Sequence, residues 1–370
     1  MTFAIRGRVV SQRAVIEDGV VAGENGRLTW VGAASEYVGP VTQVPLVLPG
    51  LVDLHCHGGG GASFTSGDPE QIVVAAEHHL GRGTTSLVGS TVADAPERLL
   101  AITALLADAC DRGDLAGIHL EGPFLSAARC GAQDPRHLRD PDLTLAAELL
   151  AAGRGHVRMV TLAPELTGAS ALAELLRSRG VVPAAGHTAA DAATTLAFLA
   201  AGGHVTHLFN GMPPLHHREP GPAGGALAST ATLELIADGT HLADETVAWL
   251  VATVGIERLV FVSDAMAAAG MPDGDYVLGP QRVRVRNGVA RLAEGDSIAG
   301  GTSRLADIVA RQVRAGVPLV EAVAAATRVP AHVLGLADRG SLVAGARADL
   351  LITDDRLAPL QVMRAGEWVA

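Results

Sequence analysis

Lysine is missing from all 370 residues, so the 28 basic side chains are arginines. Schiff-base catalysis, attachment of pyridoxal phosphate and a P-loop phosphate cradle each need a lysine amine and are excluded together. Aromatic residues are scarce, at 3%, so a core of this size has to be packed from Ala, Val, Leu and Gly, as the buried strands of parallel sheets are. Cysteines number three, Cys56, Cys110 and Cys130, too far apart for a zinc knuckle or a disulfide framework, and they read as reduced thiols. No run of eighteen apolar residues and no secretory pattern at Met1 to Val10 is present, which predicts a soluble, cytoplasmic protein without a membrane. Positive charge is also in deficit. A formal net charge of −11 argues against nucleic acid or an anionic membrane as a partner, and any anionic substrate must be caught locally.

What is present has two rhythms. Residues 1–48 hold short β-like runs broken at Glu24-Asn25-Gly26, and residues 338–370 resemble them, so both ends of the chain are expected to join in one small β-sandwich domain. Between them, over residues 49–337, eight apolar runs (51–55, 84–90, 116–120, 156–162, 181–185, 204–208, 233–237 and 259–262) alternate with Ala/Leu-rich stretches of helical period (69–80, 95–110, 143–152, 169–179, 189–201, 243–255 and 303–315). Eight strands and their helices predict a closed (β/α)8 TIM barrel of the α/β class. A doubly wound sheet would show fewer strands and a Gly-rich phosphate fingerprint, and there is no G-x-G-x-x-G. Near 276–298 the pattern returns to short β runs, an expected insertion after the eighth strand.

Chemistry-bearing residues gather at the carboxyl ends of these strands. The first ends Asp53-Leu54-His55-Cys56-His57, and strand alternation sends His55 and His57 to one side and Cys56 to the other. The third ends His119-Leu120-Glu121, the fifth Gly186-His187-Thr188, the sixth Thr206-His207-Leu208, and the eighth Ser263-Asp264-Ala265. Each alone has an ordinary reading as a cap, a core residue or a solvated carboxylate. Five strands delivering His, Glu or Asp to the face where barrels keep their chemistry predicts one metal site. Imidazoles with a carboxylate suit Zn²⁺ or Fe²⁺ better than Mg²⁺ or Ca²⁺.

Several blocks resemble the amidohydrolase superfamily, specifically its N-acetylglucosamine-6-phosphate deacetylases: Pro49-Gly50-Leu51-Val52-Asp53-Leu54-His55-Cys56-His57-Gly58, His119-Leu120-Glu121-Gly122-Pro123-Phe124, Gly186-His187-Thr188, Thr206-His207-Leu208-Phe209-Asn210-Gly211-Met212, Arg218-Glu219-Pro220-Gly221 and Ser263-Asp264-Ala265-Met266. The resemblance implies metal-dependent hydrolysis of the acetamide of N-acetyl-D-glucosamine 6-phosphate, in amino-sugar catabolism and cell-wall recycling. A related N-acyl substrate such as N-acetylgalactosamine 6-phosphate is the alternative, and a metal-free scaffold protein a more distant one. Many binuclear barrel hydrolases bridge their metals through a carboxylated lysine. With none here, Glu121 would be the bridge.

By the same resemblance, Glu121, His187 and His207 hold the principal ion, and His55 and His57 allow a second. Asp264 is the general base and is also counted among the metal ligands. The donor to the substrate carbonyl comes in the family from a Lys-Gly-Ala-His loop, which here reads Cys130-Gly131-Ala132-Gln133. Gln133 is therefore assigned that role, with His137 as the other option, and Cys130 reads as a tolerated surface thiol. Asn210, Gly211 and Arg218 are implied in phosphate binding, with Arg218 reaching the active site of a neighbour in a homodimer, and His241 in substrate contact. His78, His79 and His332 read as structural.

Overall fold

The computed structural model describes residues 2–369. Eight parallel strands follow one another around a single sheet in chain order: Leu51–Cys56, Thr84–Thr91, Gly117–Glu121, Val157–Leu162, Val182–Ala185, His204–Val205, Thr232–Leu235 and Leu259–Phe261. Parallel neighbours need long crossovers, and helices supply them. Several begin where the sequence offers an acidic cap: Asp68, Asp142 and Asp191 each accept backbone N–H groups of the first turn of Pro69–Leu80, Leu143–Ala152 and Ala192–Leu199.

The eighth strand is too short to form a ladder with the first, and the barrel closes at its mouth instead. Asp264 N–H donates to the His55 carbonyl at 3.0 Å, His57 N–H to the Ala265 carbonyl at 2.7 Å, and Cys56 and Ala265 form a parallel bridge. Just below, one Asp53 oxygen accepts the N–H groups of Ser263 (3.3 Å) and His55 (3.4 Å). The residues expected to do chemistry thus also sew the barrel shut. An apolar cluster including Val88, Met159, Ala184, Ile236 and Val260 packs with helix Arg328–Val333.

Both chain ends meet in one seven-stranded sheet, made of Thr2–Val10, Val15–Glu24, Arg27–Ala33 and Thr42–Pro49 with Leu350–Thr353, Pro359–Arg364 and Glu367–Trp368. It curls over itself, for Leu28 N–H donates to the Ala346 carbonyl and Ala348 N–H to that of Gly26 (2.9 and 2.8 Å). Ile5, Val21, Val47, Ile352 and Met363 fill the space enclosed. The insertion after strand eight is a three-stranded antiparallel sheet, Gly274–Leu278, Gln281–Arg286 and Val289–Leu292.

Three helices were not expected: Gly221–Ala228, Leu319–Ala325 and Arg328–Val333. The last two are only about two turns long, too short for a periodic signal. The first carries three glycines and a proline and reads as a loop, but a Cβ at Gly225 would lie 2.5 Å from the Ala192 carbonyl oxygen, so glycine is what lets this helix press against Ala192–Leu199. The sixth strand ends at Val205, short of the expected Leu208, because His207 turns to φ +28°. Among the described residues, no helix is long and apolar enough to cross a membrane.

Candidate metal centre

The strand ends bring Glu121 into contact with four imidazoles. Its Oε1 lies 3.1 Å from His187 Nε2, 3.0 Å from His207 Nε2 and 3.6 Å from His55 Nε2, while Oε2 lies 3.3 Å from His57 Nε2. Within each pair the imidazole nitrogens face one another: His55 Nε2 to His57 Nε2 and His187 Nε2 to His207 Nε2 are both 3.1 Å. Two three-ligand groups result, His55–His57–Glu121 and Glu121–His187–His207, all buried and sharing one carboxylate. Asp264 Oδ1 lies over the first group, 3.3 Å from His55 Nε2 and 3.2 Å from His57 Nε2.

Backbone geometry aims these side chains. His187, His207 and Asp264 all have left-handed φ, +45°, +28° and +45°, a conformation that costs a non-glycine residue roughly 1–3 kcal/mol and collects at functional sites. Each is at a point where the chain leaves its strand and turns over the mouth. Space for the turn at Asp264 comes from Gly300-Gly301. A Cβ on Gly301 would lie 2.3 Å from the Ser263 carbonyl oxygen.

The Amidohydrolase family matches residues 46–369, which include every residue of this cluster. The chain belongs to the amidohydrolase family. Its fold is similar to that of a point mutant of N-acetyl-D-glucosamine-6-phosphate deacetylase from Mycobacterium smegmatis in complex with N-acetyl-D-glucosamine-6-phosphate, with 42% identity, 99% of each chain covered and a TM-score of 0.96. In sequence it is 36% identical to N-acetylgalactosamine-6-phosphate deacetylase of Escherichia coli O157:H7 over 87% of each chain. It is 33% identical to N-acetylglucosamine-6-phosphate deacetylase of Bacillus subtilis, covering 93% of this chain and 91% of that one.

The donor set of this amidohydrolase fits a divalent cation. His187 Nδ1 faces the Arg129 carbonyl oxygen at 2.9 Å and His55 Nδ1 faces Glu234 Oε2 at 3.0 Å, acceptors that would keep a proton on Nδ1 and leave each Nε2 free to bind an ion. Charge points the same way. Burial opposes a proton on His55, yet Asp264, Glu121 and Glu234 outweigh it and hold its pKa well above the ordinary imidazole value. His57 and His187 are also raised against their burial, by Asp264 and Glu121 in the first case and by Glu121 in the second. Glu121, which burial would push up, is held well below the carboxylate range by His55 and His187, and Asp264 is lowered by His55 and His57. Buried anions of this density need positive charge in contact with them; the protonated imidazoles supply it here, and a bound divalent cation would take that place.

A cavity of about 290 Å³ opens over the cluster, at the small end for a ligand site. Gln133, Asn210, Gly211 and His241 line it with Glu121, His57, His187, His207 and Asp264, so every expected site residue borders it except Arg218 and His55, the latter fully buried in the cluster beneath. His241 is oriented by Asp238, whose Oδ2 is 2.9 Å from its Nδ1. The amide of Gln133 is fixed at both ends: Oε1 accepts the Ala93 N–H at 2.7 Å and Nε2 donates to Glu121 Oε2 at 2.6 Å. His137 does not border the cavity, which leaves Gln133 as the one of the two options beside the cluster. Arg218 lies apart from the cluster as well as from the cavity: it is exposed, with its guanidinium against the ring of His217 at 2.8 Å.

Sequence reasoning missed Glu234, a charge between two leucines in the seventh strand, which takes three hydrogen bonds behind the cluster. A carboxylate at an inward strand position was the signal available. It also missed Leu278, Ser297 and Ile298, by which the insertion roofs the cavity, and these had no local signal. Cys56 points away from the cluster as expected, to within 3.4 Å of His79 Nε2.

Proposed function

We propose that this chain is a metal-dependent deacetylase that hydrolyses the acetamide of N-acetyl-D-glucosamine 6-phosphate to D-glucosamine 6-phosphate and acetate. The observation that carries the reading is Glu121 shared between two histidine pairs, with Asp264 over one of them, in a single cavity. The point mutant of the Mycobacterium smegmatis deacetylase, similar over 99% of both chains, holds this sugar phosphate in its structure. His55, His57, Glu121, His187 and His207 would hold one or two ions, Zn²⁺ or Fe²⁺ by the chemistry of the donors. Such an ion lowers the pKa of a water and polarises a carbonyl.

The protein's own residues do the rest. Asp264 stays ionised, being lowered by His55 and His57, so it accepts a proton from the attacking water and passes it to the departing amine nitrogen. Gln133 spends one amide hydrogen on Glu121 and has a second for the carbonyl oxygen as charge develops there. His241, held by Asp238, is placed to contact the sugar, and Asn210 and Gly211 to meet its phosphate.

Among the described residues, no arginine lines the cavity, and the chain has no lysine. A dianionic phosphate therefore needs a cation from elsewhere, and Arg218 of a second copy in a homodimer is the candidate, since a guanidinium matches phosphate oxygens in pairs. A cytoplasmic location follows from a phosphorylated substrate. The 36% identical N-acetylgalactosamine-6-phosphate deacetylase favours a second reading with that epimer as substrate.

Acetate release should be measured with both sugar phosphates and with unphosphorylated N-acetylglucosamine, before and after chelation and on return of metal. Activity that vanishes with the metal and prefers a phosphorylated sugar supports the proposal. Equal turnover without the phosphate removes the phosphosugar assignment. Arg218→Ala should raise KM for the phosphorylated sugar and leave kcat nearly unchanged.

A further inference from the structure

Glu234 lies behind both halves of the metal centre and belongs to neither ligand group. It comes from the seventh strand, is fully buried, and accepts three N–H groups: His55 Nδ1 at 3.0 Å and the backbone of His207 at 3.1 Å on Oε2, and His204 Nε2 at 2.9 Å on Oε1. Its own carbonyl accepts the N–H of Leu208 at 2.9 Å. One carboxylate oxygen thus grips a ligand from each half, by the ring of His55 and by the main chain of His207. We propose that Glu234 is a positioning residue that couples the two ion sites from behind, as Glu121 joins them from the front.

Two physical effects are combined. A histidine whose far nitrogen donates to a carboxylate is a more basic ligand with a fixed tautomer and ring plane, and loss of such a partner typically weakens metal binding about 10–100-fold. His207 sits at φ +28°, a conformation that persists only where surroundings over-determine it, and the hydrogen bonds to Glu234 fall on His207 and the next residue. A merely structural acceptor at this position would not need a charge. Burying a carboxylate is expensive, and a neutral acceptor would satisfy one backbone N–H equally well. The anion faces two imidazoles, His55 and His204, and of these His55 is the one turned to an ion site.

The inference rests on the two-ion reading of the centre, and its test uses metal retention without substrate. Glu234→Gln preserves volume. His204 can move its proton to Nδ1, which faces Thr232 Oγ1 at 2.6 Å, so the amide keeps a partner on each side and only the charge is lost. Glu234→Ala removes the backbone clamp too. Each variant would be loaded with Co²⁺, dialysed against graded chelator, and followed by elemental analysis and visible absorption, with unfolding of the metal-free forms recorded alongside. Glu234→Gln should weaken the His55–His57 site about tenfold and leave the His187–His207 site as it was. Glu234→Ala should weaken both, including the single ion left in a His57→Ala background. A folded Glu234→Gln protein that holds both ions as tightly as the parent overturns the proposal, and so does equal loss from both sites. If Glu234→Ala does not fold, the Glu234→Gln comparison decides. Failure of the parent to deacetylate sugar phosphates would refute the activity proposed above and leave this coupling standing.

Discussion

The two halves of the metal centre reach the same carboxylate by different constructions. His55 and His57 leave one strand two residues apart, and ordinary strand alternation turns both toward Glu121. His187 and His207 come from two different strands and point at Glu121 only because each backbone turns left-handed, at φ +45° and +28°. Their supports differ accordingly. The first pair is braced by the barrel seam, where the His55 carbonyl accepts from Asp264 and the N–H of His57 donates to Ala265. The second is tied to loops: the His187 carbonyl accepts the Ser126 N–H at 3.0 Å, its ring faces the Arg129 carbonyl, and Gly211 folds over it so closely that a Cβ there would lie 2.9 Å from His187 Nδ1. One half follows from regular structure, and the other is held in place by tertiary contacts at a cost in backbone energy.

The largest expected effect tests whether chemistry is lodged in the first half, where Asp264 stands. Asp264→Asn removes the proton acceptor and keeps the shape, so turnover should fall on the order of 10³- to 10⁴-fold while the metal content measured on the purified protein is unchanged. Near-normal turnover would remove Asp264 from the reaction. Loss of both ions would make it a ligand and not the base.

The contrast also explains what could be read without coordinates. His55 and His57 are visible as a local pattern because strand periodicity is local, and the eight-strand rhythm is visible for the same reason. Glu121, His187 and His207 could be joined only by supposing a barrel, since nothing near them in the chain says that they meet. Glu234 escaped because its partners are 179, 30 and 27 residues away. The insertion was legible as β structure from its turns, but not its place over the cavity, which long-range packing sets. Helix Gly221–Ala228 escaped because its glycines serve contact with a neighbouring helix, which overrides their poor helix propensity.

The next effect separates the halves by acid sensitivity. Behind the first half, His79 is completely buried, with Nε2 3.0 Å from the Gly58 carbonyl oxygen and Nδ1 without a partner among the described residues. Burial pushes its pKa down to about 4. Above pH 6.5 the ring is neutral in the folded and unfolded chain alike, and its contribution to stability is whole. Between 6.5 and about 4 only the unfolded chain takes up the proton, so stability is lost as the pH falls through this window, by roughly 3 kcal/mol at its lower end. Fully buried His119, also held low by burial, acts in the same direction, so denaturant unfolding of the metal-free protein should show a slope to which both contribute, and His79→Gln should reduce it. An unchanged slope would move the acid sensitivity to other groups.

A smaller effect concerns the front of the shared carboxylate. Gln133 donates to the Glu121 oxygen that faces His57. Gln133→Ala should lower kcat about tenfold or more if its free hydrogen meets the substrate oxygen, and should ease release of the first-half ion to chelator if its main role is to hold Glu121. Both readouts unchanged would leave Gln133 as a wall residue.

The smallest effect bears directly on the cost of the second half. If His207 is strained, a residue that tolerates left-handed backbone should relieve the metal-free protein even as it destroys the site, because asparagine enters this region more readily than histidine's bulkier ring allows. His207→Asn is expected to leave the metal-free protein about 1 kcal/mol more stable than His57→Asn leaves it, read as the difference between their denaturation midpoints at constant slope. His57, whose backbone is not left-handed, has no such strain to relieve. The subtraction matters because both substitutions remove a buried imidazole from the same carboxylate, so the shared losses cancel and the backbone term remains. Equal shifts in the two variants would mean that His207 sits where it does without strain, and the asymmetry between the halves would then be one of connectivity alone.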